Sequence, residues 1–223
     1  MAKKVFISVG HGGTDGGAVA NGFKEKDLNL AIALACNDVL TRHGVITAMS
    51  RSEDVSEKLT ARIDECNAFK PDYAVEIHNN AGGGDGVEIF HTLNGGKGKV
   101  LAQNIIDEII AIGQNSRGLK TKKNSSGKDY FGWIRLTNAP VCLVECAFLD
   151  SKDIEIIDTP AEQKAMGVAI AKGILKTLGI AFVEEKKPDG KIYRVQVGAY
   201  SVKANAEAMQ NKLKADGYDA IIV

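Results

Sequence analysis

The chain begins with a short apolar strand that stops abruptly at a cluster of glycines. The run Lys4–Val9 is rich in β-branched and aromatic residues, and it is followed by Gly10–Gly13, which contains one histidine, His11. Glycines at the end of a strand favour a turn, and open α/β sheets bind ligands where the carboxyl ends of strands meet. His11 is therefore a candidate site residue. Taken alone, a turn histidine bonded to the backbone is an equally good interpretation.

Two residues further along the chain could share a site with His11. Glu25 lies 14 positions later (25 − 11) at the start of an amphipathic helix, and His78 ends a later apolar run. Two imidazoles and one carboxylate are the ligands of a catalytic zinc site, which keeps its fourth position open for water. A structural zinc site would instead close that position with protein. The three residues together predict a catalytic metal centre.

Helical and strand patterns alternate along most of the chain. The predicted helices cover residues 28–44, 59–66, 100–112 and 161–178, and short apolar runs separate them. Such alternation is typical of βαβ units, so we predict an α/β fold with a twisted, mainly parallel sheet flanked by helices. Residues 117–138 lack a clear period and contain the single tryptophan, Trp133. We expect this segment to be a loop at the rim of the site.

Five short motifs resemble, in the same order, those of one known family. They are Gly10–Gly13, Glu25–Leu30, Ile77–Ala81, Arg117–Leu119 and Val144–Leu149. From Val5 to about Leu178 the chain resembles the zinc-dependent N-acetylmuramoyl-L-alanine amidases of bacterial cell walls and phage endolysins. The resemblance implies one zinc ion per chain, held by His11, Glu25 and His78. It also implies hydrolysis of the amide bond between N-acetylmuramic acid and the L-alanine of the peptidoglycan stem peptide.

Glu145 is the candidate catalytic residue. It is the one acid within the apolar run Pro140–Leu149, and a carboxylate on a buried strand is costly unless it is paired or associated with a metal. A strand-end acid facing water is the plain alternative. The resemblance implies that Glu145 takes a proton from the attacking water and returns it to the departing amine. Hydrolysis would then need no covalent intermediate.

Glu76, Asn80 and Arg117 are candidates for supporting the ligands or contacting substrate. The family often has Asp-Pro where this chain has Ser8–Val9, and many relatives carry serine where this chain has Glu76. Glu76 lies two residues before His78 and therefore on the same strand face. Its carboxylate could orient a ligand imidazole, as acids beside metal sites do, or crowd the site with negative charge. A direct ligand role is the weakest of these interpretations.

A smaller unit follows the predicted catalytic domain. We place the catalytic domain at residues 1–182, a charged linker at 183–190 and a strand–helix–strand unit at 191–223. On the signature Val195–Tyr200, this last βαβ unit resembles one half of a sporulation-related (SPOR) wall-binding module. A full module has two such halves, and about 33 residues are few for an independent core. A homodimer through the half-module, or a shortened chain, would account for the missing half.

Charge and hydropathy exclude some partners. Lysine and arginine number 28 and the acids also number 28, so the net charge is zero, which argues against a nucleic acid partner. The basic run Lys120–Lys123 is either a solvated loop or a contact with the anionic wall polymer. We find neither a signal peptide nor an apolar run of ~18 residues, so we expect no membrane partner. We expect synthesis in the cytoplasm and action on the wall after release, through phage lysis or mother-cell lysis.

Two other functions remain open from the sequence. One is a non-catalytic peptidoglycan-binding protein with a vestigial metal site. The other is a zinc peptidase that cuts within the stem peptide and would expose a different amino terminus.

Overall fold

The computed structural model of the chain describes residues 2–184 and 196–222. The chain divides into two compact units, Met1–Val183 and Glu184–Val223. Most of the predicted linker and the beginning of the strand predicted to follow it lie outside the described residues.

The first unit contains a six-stranded sheet and a two-stranded hairpin. The strands are β1 (Lys4–Val9), β2 (Val19–Ala20), β3 (Phe23–Lys24), β4 (Ile46–Met49), β5 (Tyr73–Asn80), β6 (Val87–His91), β7 (Ser116–Lys120) and β8 (Val141–Phe148). The sheet has the order β4-β1-β5-β8-β6-β7, and β2 pairs with β3. Within the sheet, neighbours are parallel except β6 and β8, which are antiparallel. The predicted mainly parallel α/β sheet is therefore confirmed.

Helices cover both faces of this sheet. They are α1 (Glu25–Arg42), α2 (Leu59–Phe69), α3 (Gly96–Ala111), α4 (Gly132–Leu136) and α5 (Pro160–Leu178), with a 3-10 helix at Lys152–Ile156. The larger core lies on the face covered by α1, α3 and α5. The smaller core lies on the opposite face with α2 and α4. The alternation of side chains along each strand sends successive residues to the two cores.

The face of the smaller core turns polar toward the carboxyl ends of the central strands. On β1 the buried Phe6 is followed two residues later by Ser8, and on β8 Leu143 is followed by Glu145. On β5, Glu76 and His78 continue the same face. The strand pattern therefore gathers the candidate site residues at one edge of the sheet.

The segment predicted as a rim loop, residues 117–138, is a loop only in its middle, at 121–131, so the expectation of a continuous loop was wrong. Strand β7 occupies its beginning, and α4 carries Trp133 into the smaller core, where the side chain is 1% exposed. The indole Nε1 donates to the carbonyl of Cys142 at 3.3 Å. A five-residue helix and an edge strand are too short and too polar to show a hydrophobic period, so the sequence did not reveal them.

Within its described residues, 184 and 196–222, the second unit contains one helix, α6 (Lys203–Ala215). The strands predicted on either side of it do not form within the described residues, since 196–200 and 218–222 are irregular. None of the α6 side chains is buried, and its apolar stripe of Ala206, Met209 and Leu213 is only half-buried. A strand needs a hydrogen-bonded neighbour and a face to cover, and this unit offers little of either. Among the described residues, the helix of the predicted βαβ unit is thus present and its strands are not.

Among residues 2–184 and 196–222, no helix combines the length and the hydropathy needed to cross a bilayer.

Candidate metal centre

The three predicted ligand residues lie together at the carboxyl ends of β1 and β5. One ligand atom from each of His11, Glu25 and His78 lies within 4.8 Å of the other two. The Nε2 atom of His11 is 3.1 Å from Glu25 Oε2, and the Nδ1 atom of His78 is 2.8 Å from Glu25 Oε1. Glu25 therefore places one carboxylate oxygen against each imidazole, and the two rings stand nearly perpendicular.

A tight hairpin brings Glu25 to this position. Asn21 and Gly22, both with positive φ (51° and 82°), form the two-residue connection between β2 and β3, as expected for an Asn-Gly hairpin turn. Helix α1 begins directly after β3, with Glu25 as its first residue. The backbone N–H of Ala18 donates to Glu25 Oε2 at 2.9 Å. A carboxylate at a helix N-terminus is also favoured by the helix dipole.

The loop after β1 presents His11 with its Nε2 atom toward Glu25. His11 has a φ of 59°, which is unusual for a residue other than glycine, and its Nδ1 atom lies 2.8 Å from Asp15 Oδ2. The same loop requires Gly17, which has a φ of 64°. A Cβ there would lie 2.5 Å from Glu25 Oε2 and 2.7 Å from the His11 ring. Asp15 and the strained backbone together fix which nitrogen of His11 faces the cluster.

The loop between β4 and α2 clamps the His11 loop. Asp54 accepts the backbone N–H of Gly13 at 2.7 Å and pairs with Lys26 Nζ at 2.5 Å. Lys26 Nζ also donates to the carbonyl of Gly13, and Arg51 donates to the carbonyls of Gly10 and Lys26. Sequence reasoning missed this clamp, because charged residues in a polar loop look the same as a solvated surface.

The charges of the cluster stabilise one another. Burial opposes the ionised form of Glu25, but the hydrogen bonds to His11 and His78 outweigh it and hold the Glu25 pKa well below its usual range. Burial likewise opposes the charged form of His78. The hydrogen bond to Glu25 and the nearby charges of Glu76 and Glu145 nevertheless raise the His78 pKa to about 9. The hydrogen bond to Glu25 also raises the pKa of His11.

Glu145 lies beside this cluster on the neighbouring strand. It is the register partner of His78 in the parallel pairing of β5 and β8, so both side chains project from the same face. Its Oε2 atom is enclosed by protein and has no hydrogen-bond partner among the described residues. Burial raises the pKa of Glu145 to about 7, and the charges of Glu25, Glu88 and Glu76 act in the same direction, while His78 lowers it.

Two of the other candidates, Asn80 and Arg117, lie together beside Glu88. Asn80 Nδ2 donates to Glu88 Oε1 at 3.0 Å, and Arg117 Nε donates to Glu88 Oε2 at 2.9 Å. The Arg117 guanidinium also lies over the Phe148 ring, 5.0 Å from its centroid. Because Glu88 is the register partner of Glu145, this group borders the cluster on the side of β6 and β7.

Two residues next to the candidates, one partly buried and one buried, escaped the sequence analysis. One is Glu88, and the other is Arg62 on α2, which forms an ion pair with Glu76 at 3.0 Å. Glu88 alternates with the buried residues Val87 and Ile89, which places it on the polar face of β6. That signal is present in the sequence, but its meaning depends on knowing that β6 lies beside β8.

The donor set fits a zinc ion. Two imidazole nitrogens and one carboxylate oxygen converge, and the orphaned Glu145 oxygen supplies a polar group next to them that is not part of the donor set. Catalytic zinc sites combine three such ligands with one open position. The arrangement can therefore hold a metal ion and place a proton acceptor beside it.

Comparison with known proteins agrees with this geometry. Residues 5–176 match a family described as N-acetylmuramoyl-L-alanine amidase, and residues 171–223 match the SPOR domain. The chain is 35% identical over 225 residues to the sporulation-specific N-acetylmuramoyl-L-alanine amidase of Bacillus subtilis (strain 168), covering 99% of this chain and 84% of that protein. It is 34% identical to an endolysin of Bacillus phage SPP1 over 215 residues, covering 88% of this chain and 77% of the endolysin.

A structural comparison gives the same result. The catalytic domain of CwlV, an N-acetylmuramoyl-L-alanine amidase from Bacillus (Paenibacillus) polymyxa var. colistinus, superposes with a TM-score of 0.73 at 28% identity. The match covers 80% of this chain and 99% of that domain.

Proposed function

Because the chain belongs to the N-acetylmuramoyl-L-alanine amidase family, we propose that it cleaves the amide bond between N-acetylmuramic acid and L-alanine in peptidoglycan with one zinc ion held by His11, Glu25 and His78. The observation that carries the proposal is the placement of Glu25 between two imidazoles, with Glu145 alongside, whose Oε2 atom has no hydrogen-bond partner among the described residues.

Three residues would bind the metal ion and a fourth would transfer the proton. His11 Nε2, Glu25 and His78 Nδ1 would hold the ion. Zinc, when bound, acidifies water and polarises the amide carbonyl. Glu145 has a free Oε2 atom on the strand next to His78, so it can accept a proton from the attacking water. The same oxygen then returns the proton to the amine that leaves with L-alanine.

Asn80 and Arg117 are proposed to line the substrate groove. Both are anchored by Glu88, and 41% of the Arg117 side chain is exposed. An Arg117 guanidinium held by one nitrogen keeps further N–H groups available for a substrate carbonyl or carboxylate. The glycine-rich segment Gly82–Gly86 follows β5, and its Gly82 and Gly83 N–H groups donate to Asp150.

We also propose a division of the chain into domains. Residues 1–182 are the catalytic domain, 183–190 a linker and 191–223 a SPOR-like half-module that binds the wall. We further propose that the half-module pairs with that of a second chain. Its exposed apolar side chains, Val197, Tyr200, Tyr218 and Ile221, support a need for a partner. Action at the cell wall is supported by relatives that are named a sporulation-specific N-acetylmuramoyl-L-alanine amidase and a phage endolysin.

Digestion of purified peptidoglycan tests the proposed function. Zinc-loaded protein is expected to release material with new L-alanine amino termini, and chelation should abolish the release. His78→Ala should behave like the chelated protein. His43→Ala is the matched control because His43 lies at the far end of α1, where its ring accepts the Val183 N–H.

The alternatives give different results in the same experiment. New amino termini other than L-alanine would identify a peptidase. A protein that pellets with the wall and takes up zinc but releases nothing would be a wall-binding protein with a vestigial metal site.

A further inference from the structure

A buried carboxylate faces the side of His78 that points away from Glu25. Glu76 is 3% exposed, and its Oε1 atom accepts hydrogen bonds from Ser8 Oγ and Arg62 Nη1, both at 3.0 Å. Its Oε2 atom lies 3.7 Å from His78 Nε2. A buried carboxylate is costly unless it is paired, and here the Arg62 ion pair and the Ser8 hydroxyl compensate only one of its two oxygens.

The two nitrogens of His78 therefore face two different acids. Nδ1 faces Glu25 at 2.8 Å and belongs to the ligand cluster, whereas Nε2 faces Glu76. Imidazoles that bind metals commonly give their other N–H to a carboxylate, which fixes the tautomer and increases the basicity of the ligating nitrogen. The 3.7 Å between Glu76 Oε2 and His78 Nε2 is an ion-pair distance and is longer than a hydrogen bond. We propose that Glu76 is a positioning residue whose charge attracts the Nε2–H of His78, so that the Nδ1 lone pair points to the metal. This inference rests on the proposed zinc site.

The position of Glu76 is set by three elements at once. Arg62 Nη1 also donates to the carbonyl of Val9 at 3.1 Å, so one guanidinium ties α2 to the end of β1 and to β5. Ser8 is the register partner of Glu76 in the pairing of β1 and β5. Because Arg62 is itself 8% exposed, solvent hardly screens its attraction for the carboxylate. The carboxylate has little freedom to turn away from His78.

Ser8 faces Glu76 from the neighbouring strand and determines which of its oxygens is left for His78. Of the two facing positions on β1 and β5, only the β5 position carries an acid in this chain. Ser8 supplies a hydroxyl that holds Oε1 and leaves Oε2 for the imidazole. The buried Glu76 carboxylate is thus available to orient the His78 ring.

Zinc affinity of the full chain, measured by competition with a chelator, tests the inference without using catalysis. Glu76→Gln keeps the size of the side chain and an acceptor for Arg62 but removes the charge. We expect it to weaken zinc binding about 10–100-fold. Ser8→Ala is the matched control, since it removes one bond to Oε1 and leaves the oxygen that faces His78. Its zinc affinity is expected to stay within about threefold of the wild type.

A spectroscopic readout separates positioning from a general loss of stability. In the zinc-loaded wild type, the His78 Nε2 proton should give a slowly exchanging, downfield NMR resonance. Glu76→Gln should move it upfield or broaden it, and Ser8→Ala should not. If Glu76→Gln leaves Arg62 unpaired and unfolds the chain, the double variant Arg62→Leu with Glu76→Gln removes the buried charge, and the same affinity loss is expected.

If the Glu76 variants keep wild-type zinc affinity and an unchanged His78 Nε2 proton resonance, the inference is overturned and the proposed function still stands. Equal losses of zinc affinity in Glu76→Gln and Ser8→Ala would also overturn it, because they would reflect only weakened packing. A wild-type chain that binds no zinc would instead overturn the proposed function, and the inference with it.

Discussion

Each candidate ligand imidazole has an acid on its outer nitrogen as well as Glu25 on its inner one. His11 Nδ1 lies 2.8 Å from Asp15, whose side chain is 67% exposed, and His78 Nε2 faces the buried Glu76. Solvent screens the first pair and not the second. The orientation of His11 must therefore depend more on its backbone, which is held in the left-handed region by the surrounding loop.

Gly17 is the residue that lets this loop close around the cluster. Gly17→Ala should weaken zinc binding about tenfold or more, because the added Cβ displaces the Glu25 carboxylate and the His11 ring. Chelator competition on the folded variant measures the effect.

Gly22→Ala is the control for that substitution. Gly22 also has a positive φ, so alanine carries a similar backbone cost of about 1–2 kcal/mol, but a Cβ there meets nothing within 4 Å. The control should lose stability and keep its zinc affinity. Equal zinc affinities in the two variants would contradict the packing argument.

At the scale of elements, the sequence predicted the helices and strands that have a clear hydrophobic pattern. It missed the features that depend on which strands lie side by side. The hydrophobic period predicted helices α1, α3 and α5. The central strands were predicted because each is a short apolar run. Strand order was not predictable, so the antiparallel placement of β6 beside β8 remained unknown, and with it the role of Glu88. The candidate ligands are near one another because His11 follows β1, His78 lies near the end of the neighbouring parallel strand β5, and Glu25 begins α1.

Helix α4 shows how a short element can hide a core residue. Trp133→Ala should lower the free energy of unfolding by about 3–5 kcal/mol, because it leaves a large cavity between α4 and the sheet. Denaturant unfolding followed by circular dichroism measures this change. Tyr130→Ala, which truncates a 48% exposed aromatic nearby, should cost much less.

The single tryptophan provides an independent check of the same point. Its fluorescence in the folded wild type should resist quenching by acrylamide. A readily quenched tryptophan, or a Trp133→Ala variant that keeps its stability and loses wall binding, would restore the rim-loop interpretation.

On the scale of the whole molecule, the described residues of the C-terminal unit leave an apolar surface uncovered. The half-buried stripe of α6 and the segments beside it leave apolar groups facing solvent. Pairing with a second chain would bury the stripe and give the flanking segments a strand partner.

Sedimentation equilibrium of the full chain tests this pairing. We expect a mass of twice the 23.8 kDa chain, and Met209→Asp should reduce it to that of a single chain by placing a charge in the apolar stripe. Asn211→Asp adds the same charge at an exposed position of α6 and should remain dimeric. A monomeric wild type at micromolar concentration would rule out the homodimer.

In the proposed reaction, Glu145 acts beside a zinc ion that it does not hold. The direct measurement is zinc content and L-alanine release on the same preparations of wild type and Glu145→Gln. We predict about one zinc per chain in both proteins and a 10²–10⁴-fold slower release in the variant. Release within tenfold of the wild type, or loss of zinc together with activity, would contradict the assignment of Glu145 as the proton acceptor.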